Sequence, residues 1–401
     1  MALIVQKFGG SSVRDAARVN NVAGIITDTY KQGNQVVVVV SAQGDTTDDL
    51  IEKAKEINPN PSKREMDMLL STGEQISISL LAMAIQRLGF PVVSLTGWQA
   101  GFQTDSSHSN ARIRKIDGER LRKELDTNHI VIVAGFQGLS PYGDITTLGR
   151  GGSDTSAVAL AAELKADLCQ IYTDVDGVYT ADPRKVPTAK KLEEISFDEM
   201  LELASLGAQV LHNRSVEMAK KYNVNMEVVS SLEKKPGTKV KEVVSVEKML
   251  IKGVTRDNNV ARIAVVGLPD KPGIAFRVFS LMSQHNINVD IILQSIGRDN
   301  TKDISFTISE DNLAQAVAVL EENLSLLEAS RIEVNDKVCK LSIVGAGMQT
   351  NAGVATKMFE ALYDAGININ MISTSEIKIS VLIDEDEGEA ALRAVHNAFI
   401  G

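Results

Sequence analysis

Aromatic residues make up only 4% of this 401-residue chain, tryptophan occurs once and cysteine twice. With so few rings, the apolar content is carried by Ala, Val, Ile and Leu, the composition of helices packed on mostly buried strands. Cys169 and Cys339 are far apart and isolated, without the spacing of a metal site or a disulfide framework. A reducing, intracellular compartment is the simple reading. Positive charge is also short, since 42 Lys and Arg face 52 Asp and Glu for a net charge of −10. That balance excludes a general nucleic-acid binder, which needs a basic face to displace counterions. Long apolar runs are missing too. The start, Met1 to Lys7, is too short for a signal peptide and has no basic leader. No stretch reads as the ~18 apolar residues that span a membrane, so a cytosolic protein without a membrane partner is expected.

What is present is the balance of a globular protein, 44% hydrophobic and 23% charged, in a chain long enough for two or three domains. Apolar runs at residues 3–6, 36–40, 92–95, 129–134, 168–172 and 227–229 alternate with helical patterns such as 66–87 and 155–165. This rhythm predicts an α/β fold with a mostly parallel sheet and helices on both faces, over residues 1–231. Residues 232–260 are charged, with a Lys234-Lys-Pro-Gly237 turn signal and one strand-like run at 249–254, and read as a linker. Beyond it lies an internal repeat. Gly273, Phe279 and Ile287 recur 80 residues later as Gly353, Phe359 and Ile367. Ala275, Val278, Phe279 and Met282 match Ala355, Met358, Phe359 and Leu362 at helical spacing. Two small α/β sandwich modules, 261–335 and 336–401, are expected.

Ligands of open α/β sheets bind beyond the carboxyl ends of the strands, and three polar loops follow predicted strands there. In Lys7-Phe-Gly-Gly-Ser-Ser12, Gly9 and Gly10 would let backbone N–H groups approach a polyphosphate, and Lys7 would neutralise a transferring phosphoryl group. A plain structural turn explains this segment equally well. Thr146-Thr-Leu-Gly-Arg-Gly-Gly-Ser-Asp154 is more informative. Ser153 or Asp154 could simply cap the next helix, but Arg150 between glycines suits bidentate carboxylate or phosphate recognition. Thr173-Asp-Val-Asp-Gly177, followed by Tyr179 and Arg184, reads as a turn or as a nucleotide contact. If the substrates are anions, an acidic protein must concentrate cations and helix N-termini locally.

Lys7–Val13, Ser41-Ala-Gln-Gly-Asp-Thr-Thr-Asp48, Gly135-Phe-Gln-Gly138, Thr146–Asp154 and Tyr172–Arg184 resemble, in order, the signature segments of aspartate kinases. The resemblance covers essentially the whole chain. It implies the amino-acid-kinase fold followed by two ACT modules, and ATP-dependent phosphorylation of the L-aspartate side-chain carboxylate, the first step towards lysine, threonine and methionine. It further implies that Lys7, Gly9 and Gly10 hold the phosphoryl group and that Asp154 orients Lys7. Ser41, Thr47 and Ser153 would contact aspartate, with Glu74 on its ammonium and Arg150 on its α-carboxylate. Thr173, Asp174, Tyr179 and Arg184 would line the nucleotide site. Mg²⁺ would enter on the ATP phosphates, so no protein metal ligand is assigned. Pattern alone makes Glu74 a solvated helix residue. The chain departs from the family at Gln209 and Asn213, where Lys and Pro are frequent, and more mildly at Gln43 and Ser109. His108, His212 and Trp98 are expected to be structural or surface groups.

In the first repeat, Asp270, Lys271, Pro272, Gly273, Ile274 and Ala275 join a strand to a helix whose N-terminal N–H groups suit an effector carboxylate. Asn288 and Gln294 could read the rest of that effector, although ordinary strand-to-helix turns would look the same. Lysine, threonine or both are the implied effectors. A homo-oligomer is expected, and Met249 sits where a separately translated regulatory subunit could begin. The competing readings are a kinase for glutamate or N-acetylglutamate, disfavoured by the tandem modules, and a non-catalytic amino-acid sensor, which could have lost Lys7, Arg150 or Asp154.

Overall fold

The computed structural model describes residues 1–207, 210–242, 250–295, 301–349, 351 and 353–401. Gln209 and Met249 lie outside the described residues, as do parts of the 249–254 run and of the 349–353 loop.

Two compact units interleave along the chain. The first comprises residues 1–179, 191–205 and 209–246, and the second 180–190, 206–208 and 247–401. The first is built on an eight-stranded sheet in the order Glu194–Ser196, Thr238–Lys241, Met226–Ser230, Leu168–Thr173, Leu3–Phe8, Gln35–Val40, Ile130–Ala134, Val92–Leu95. Its neighbours are parallel except where Thr238–Lys241 runs against Met226–Ser230. Gln-Val-Val-Val-Val-Val at 35–40 is a β-branched run buried on both faces, which only a central strand with helices above and below can accommodate. Helix Ala16–Lys31 begins at Asp15, whose side chain accepts from Arg18 N, and buries Val19, Val22, Ala23 and Ile26 at helical spacing against this sheet. A second, four-stranded sheet, Ile113–Ile116, Phe102–Thr104, Gln137–Leu139, Ile145–Thr147, was not anticipated, because its strands are only three or four residues long.

Helix Lys63–Arg87 corrects one expectation. It is long and apolar enough to cross a membrane by length and composition. Its buried residues nevertheless include Asp67 and Glu74 beside Ile78, Leu81 and Ile85, which packs it as a core helix of this unit.

The second unit holds the repeat. Ile292–Gln294, Thr301–Ile308, Ala261–Pro269 and Arg331–Asn335 form one antiparallel sheet, and Gly253–Asp257, Val338–Val344, Lys378–Asp384 and Met371–Thr374 form the other. Each has its own core, around Phe306 and Val278 in one and Leu341 and Met358 in the other. The strand in the supposed linker, Gly253–Asp257, thus completes the sheet of the second copy rather than joining the adjacent first one.

Candidate active site

The carboxyl ends of four adjacent strands of the large sheet lead into Lys7–Gly10, Ser41–Gly44, Gly135–Phe136 and Thr173–Asp174. A cavity of about 290 Å³ opens there, lined by Lys7, Gly10, Ser41, Ala42, Gly44, Thr47, Glu74, Phe136, Ser153, Asp154 and the 149–152 loop with Arg150. Lys7, Gly10, Ser41, Thr47, Glu74, Arg150, Ser153 and Asp154, which are scattered over about 150 residues of sequence, are therefore brought together.

Lys7 is the penultimate residue of its strand, and its Nζ lies 2.6 Å from Asp154 Oδ1. Asp154 sits in the first turn of helix Gly152–Leu164, which enters through Gly151 in the left-handed region (φ 67°). That helix N-terminus and Lys7 bring positive groups to one side of the cavity, offset in part by Asp154 itself. The glycines are required by close approach. A Cβ on Gly10 would stand 2.6 Å from the Ala42 carbonyl oxygen, and one on Gly135 would stand 2.7 Å from Ser153 Oγ.

Glu74 is buried rather than solvated. Its Oε1 accepts from Ala42 N at 3.2 Å, while Oε2 is buried without a hydrogen-bond partner. Burial pushes its carboxyl up to about 8. A carboxyl kept out of water and left half-satisfied at a cavity wall has the chemistry to receive a cationic group, which would stabilise its ionised form. Arg150 is exposed on the same cavity.

The nucleotide candidates are less gathered. Gly9 N donates to Tyr172 O at 3.4 Å. Thr173 Oγ1 donates to Asp174 at 3.0 Å, and Tyr179 donates its phenolic hydroxyl to Asp176 at 2.7 Å, a bond that pushes the phenol up to about 12. Arg184 belongs to the second unit, where its guanidinium pairs with Asp182 at 2.9 Å. None of these five lines the cavity. In the second unit, Gly273 (φ 90°) opens helix Ile274–Gln284, as Gly353 (φ 92°) opens Val354–Asp364. Asp270 pairs with Lys302 at 2.5 Å and Lys271 with Glu328, whereas Ile274 is core and Asn288 and Gln294 are exposed. Pro272 precedes the helix and Ala275 packs beside that core.

Sequence reasoning passed over Phe136 and the Ala42 amide, both on the cavity wall. Phe136 lies in the 135–138 motif and holds φ 71°, unusual for a bulky residue. His212 was read as structural or surface; its side chain caps helix Asn213–Tyr222, and its ring packs where a Cβ on Gly151 would lie, at 2.2 Å.

The amino acid kinase family model matches residues 2–230, and an ACT domain model matches 263–324 and 341–399. The chain is 52% identical over 400 residues to the aspartokinase of Bacillus sp. strain MGA3, covering all of this chain and 97% of that one. It belongs to the aspartokinase family. The solved E. coli aspartokinase III in complex with aspartate and ADP superposes with a TM-score of 0.84 at 25% identity, covering all of both chains. The same enzyme in complex with lysine and aspartate gives 0.77 at 27% identity, again over both whole chains. The expected kinase fold followed by two ACT modules is thereby borne out.

Proposed function

We infer that this chain transfers the γ-phosphoryl group of ATP to the side-chain carboxylate of L-aspartate, yielding 4-phospho-L-aspartate. The observation that carries the reading is that a buried, half-satisfied carboxyl, Glu74, and a guanidinium, Arg150, line one cavity that also holds the Lys7–Asp154 pair. Glu74 and Arg150 are complementary to the ammonium and α-carboxylate of a zwitterion. Binding the ammonium stabilises the ionised form of Glu74, so substrate brings its raised pKa back down. Ser41, Thr47 and Ser153 supply hydroxyls for the rest of the substrate.

The attacking carboxylate is already ionised at neutral pH, so no general base is required. Positioning and charge neutralisation do the catalysis. Lys7, aimed by Asp154, meets the negative charge of the transferring group, and the backbone at Gly9 and Gly10 can approach the phosphates. Among the described residues no group of three or more His, Cys, Asp or Glu could hold a metal ion. A divalent cation such as Mg²⁺ would enter with the nucleotide phosphates, where it would neutralise phosphate charge. Thr173, Asp174, Tyr179 and Arg184 are assigned to the nucleotide.

The Gly273 and Gly353 loops present helix N-terminal N–H groups, and lysine, threonine or both acting there as feedback inhibitors follow from the ACT modules. A cytoplasmic homo-oligomer, with or without a separate regulatory subunit starting near Met249, completes the reading; light scattering that gives a monomer at assay concentration would count against it.

The deciding experiment traps the acyl phosphate with hydroxylamine in the presence of ATP and Mg²⁺. Aspartate-dependent hydroxamate, lowered by lysine, threonine or the pair, is the expected result. Hydroxamate from glutamate and none from aspartate would replace the substrate, and none from either would leave the sensor reading.

A further inference from the structure

The loop carrying Arg150 is fastened from beneath by two charged side chains that the reaction does not use. Asp67, on helix Lys63–Arg87, has no solvent exposure. Its carboxylate accepts from Thr147 Oγ1 at 2.6 Å, from Thr147 N at 3.0 Å and from Ser109 N at 3.0 Å, and lies 3.0 Å from His108 Nδ1. Arg214, half-buried on helix Asn213–Tyr222, donates to the carbonyl oxygens of Leu148 and Ala111, each at 2.8 Å. The two side chains grip consecutive residues, 147 and 148, immediately before the loop.

The loop has one turn bond of its own, Gly152 N donating to Gly149 O at 2.9 Å, but its backbone at 149 and 151 is glycine, so the outside anchors add stiffness where it bends. Arg150 is flanked by Gly149 (φ 78°) and Gly151 (φ 67°), and glycine is the most permissive backbone unit. An arginine on such a hinge recognises a carboxylate well only if its flanks are held from outside. Asp67 and Glu74 are seven residues apart on one helix, two turns along the same buried face. One rigid element thus carries Glu74 directly and holds the Arg150 loop through Thr147.

We propose that Asp67 is a positioning residue that fixes the distance between the ammonium and α-carboxylate recognisers, and so sets selectivity for an α-amino acid, with Arg214 as the second anchor. The proposal rests on the aspartate reading above. Ser109 fits the same role. It holds φ 69°, strained for a residue with a Cβ, where it donates its N–H to both Asp67 oxygens.

The test compares Asp67→Asn and Thr147→Val, the latter nearly isosteric and lacking only the hydroxyl, in wild-type and Arg150→Ala backgrounds. Both substitutions should raise the KM for aspartate by about tenfold or more while the KM for ATP stays within about twofold. In the Arg150→Ala background Thr147→Val should add less than about twofold, because the group it positions is gone. An unchanged aspartate KM in both single variants overturns the proposal. So does a parallel rise for ATP, or an undiminished effect when Arg150 is absent, either of which marks a merely structural role. A wild-type enzyme that makes no aspartyl hydroxamate overturns the substrate reading, and the positioning role with it.

Discussion

Glu74 carries two opposed consequences of one burial. Burial raises its folded-state carboxyl to about 8 from an ordinary value of 4.5, so the native state holds a proton that the unfolded chain releases. Stability therefore falls as pH rises between those values, the native state binding more protons throughout. Glu74→Gln removes this dependence. It should raise the melting temperature of the empty enzyme at pH 8.5, by an amount on the order of a few kcal/mol in stability, and change little near pH 4. In activity the sign reverses. On the proposed role of Glu74, aspartate binds the carboxylate form, so kcat/KM for aspartate should climb as pH rises towards about 8, and the Gln variant should lose both that climb and about 10²-fold in kcat/KM. A Gln variant less stable than wild type at pH 8.5 would contradict the burial argument. At the neighbouring pair, Asp154→Asn frees the Lys7 ammonium now held at 2.6 Å. The expected result in steady-state kinetics is a loss of about 10²-fold in kcat with a much smaller change in aspartate KM, since Lys7 acts on the transferring group.

At the scale of elements, helix Lys63–Arg87 shows what the sequence made legible and what it hid. Its buried positions include Asp67, Ser71, Glu74, Ile78, Leu81 and Ile85, alternating steps of four and three. The apolar half of this stripe was readable as a helix face from periodicity. Its polar half, reading as solvated residues, lies on the same face, and the strand-end loops above it explain why carboxyl groups are tolerated there. Polar residues on an otherwise apolar stripe were the signal that pattern alone passes over; the family resemblance supplied Glu74, and nothing in the sequence reading supplied Asp67. The Gly-rich loops at 7–12 and 146–154 were legible because glycine, lysine and arginine cluster there locally. The nucleotide candidates were not gathered equally well, since Arg184 falls in a different compact unit from Thr173 and Tyr179. The same helix approaches the 41–44 loop so closely that a Cβ on Gly73 would lie 2.8 Å from Ala42 Cβ. Gly73→Ala gains helix propensity of about 1 kcal/mol yet must push the helix off the loop next to Glu74. The outcome expected from kinetics and thermal melts together is a raised aspartate KM with a melting temperature little changed.

On the scale of the whole molecule, the chain leaves its first compact unit at Thr180, directly after Tyr179, and returns at Lys191, just before the edge strand Glu194–Ser196 of the large sheet. The excursion is closed on itself, Thr180 N donating to Lys190 O, and is stitched into the second unit by Val254 N on Thr180 O. His396, fully buried on the last helix, completes the stitch with Nε2 at 2.9 Å from Thr180 Oγ1, while its Nδ1 is buried without a partner. Burial also holds its imidazole below the usual range, so it is neutral at physiological pH. On the proposed roles of Tyr179 and the ACT modules, a segment continuous with Tyr179 but packed in the second unit would be a covalent route by which effector state biases nucleotide handling. His396→Leu removes one hydrogen bond and one orphaned nitrogen, two terms of opposite sign, so folding should survive. Turnover without effector is expected to stay within about twofold, whereas the concentration of lysine or threonine giving half inhibition should rise by about tenfold, a coupling loss in the usual range of 1–3 kcal/mol. Dose–response curves for hydroxamate formation read both quantities in one experiment. Equal inhibition in variant and wild type would show that the excursion transmits nothing, and a fall in basal activity alone would make His396 only a part of the fold.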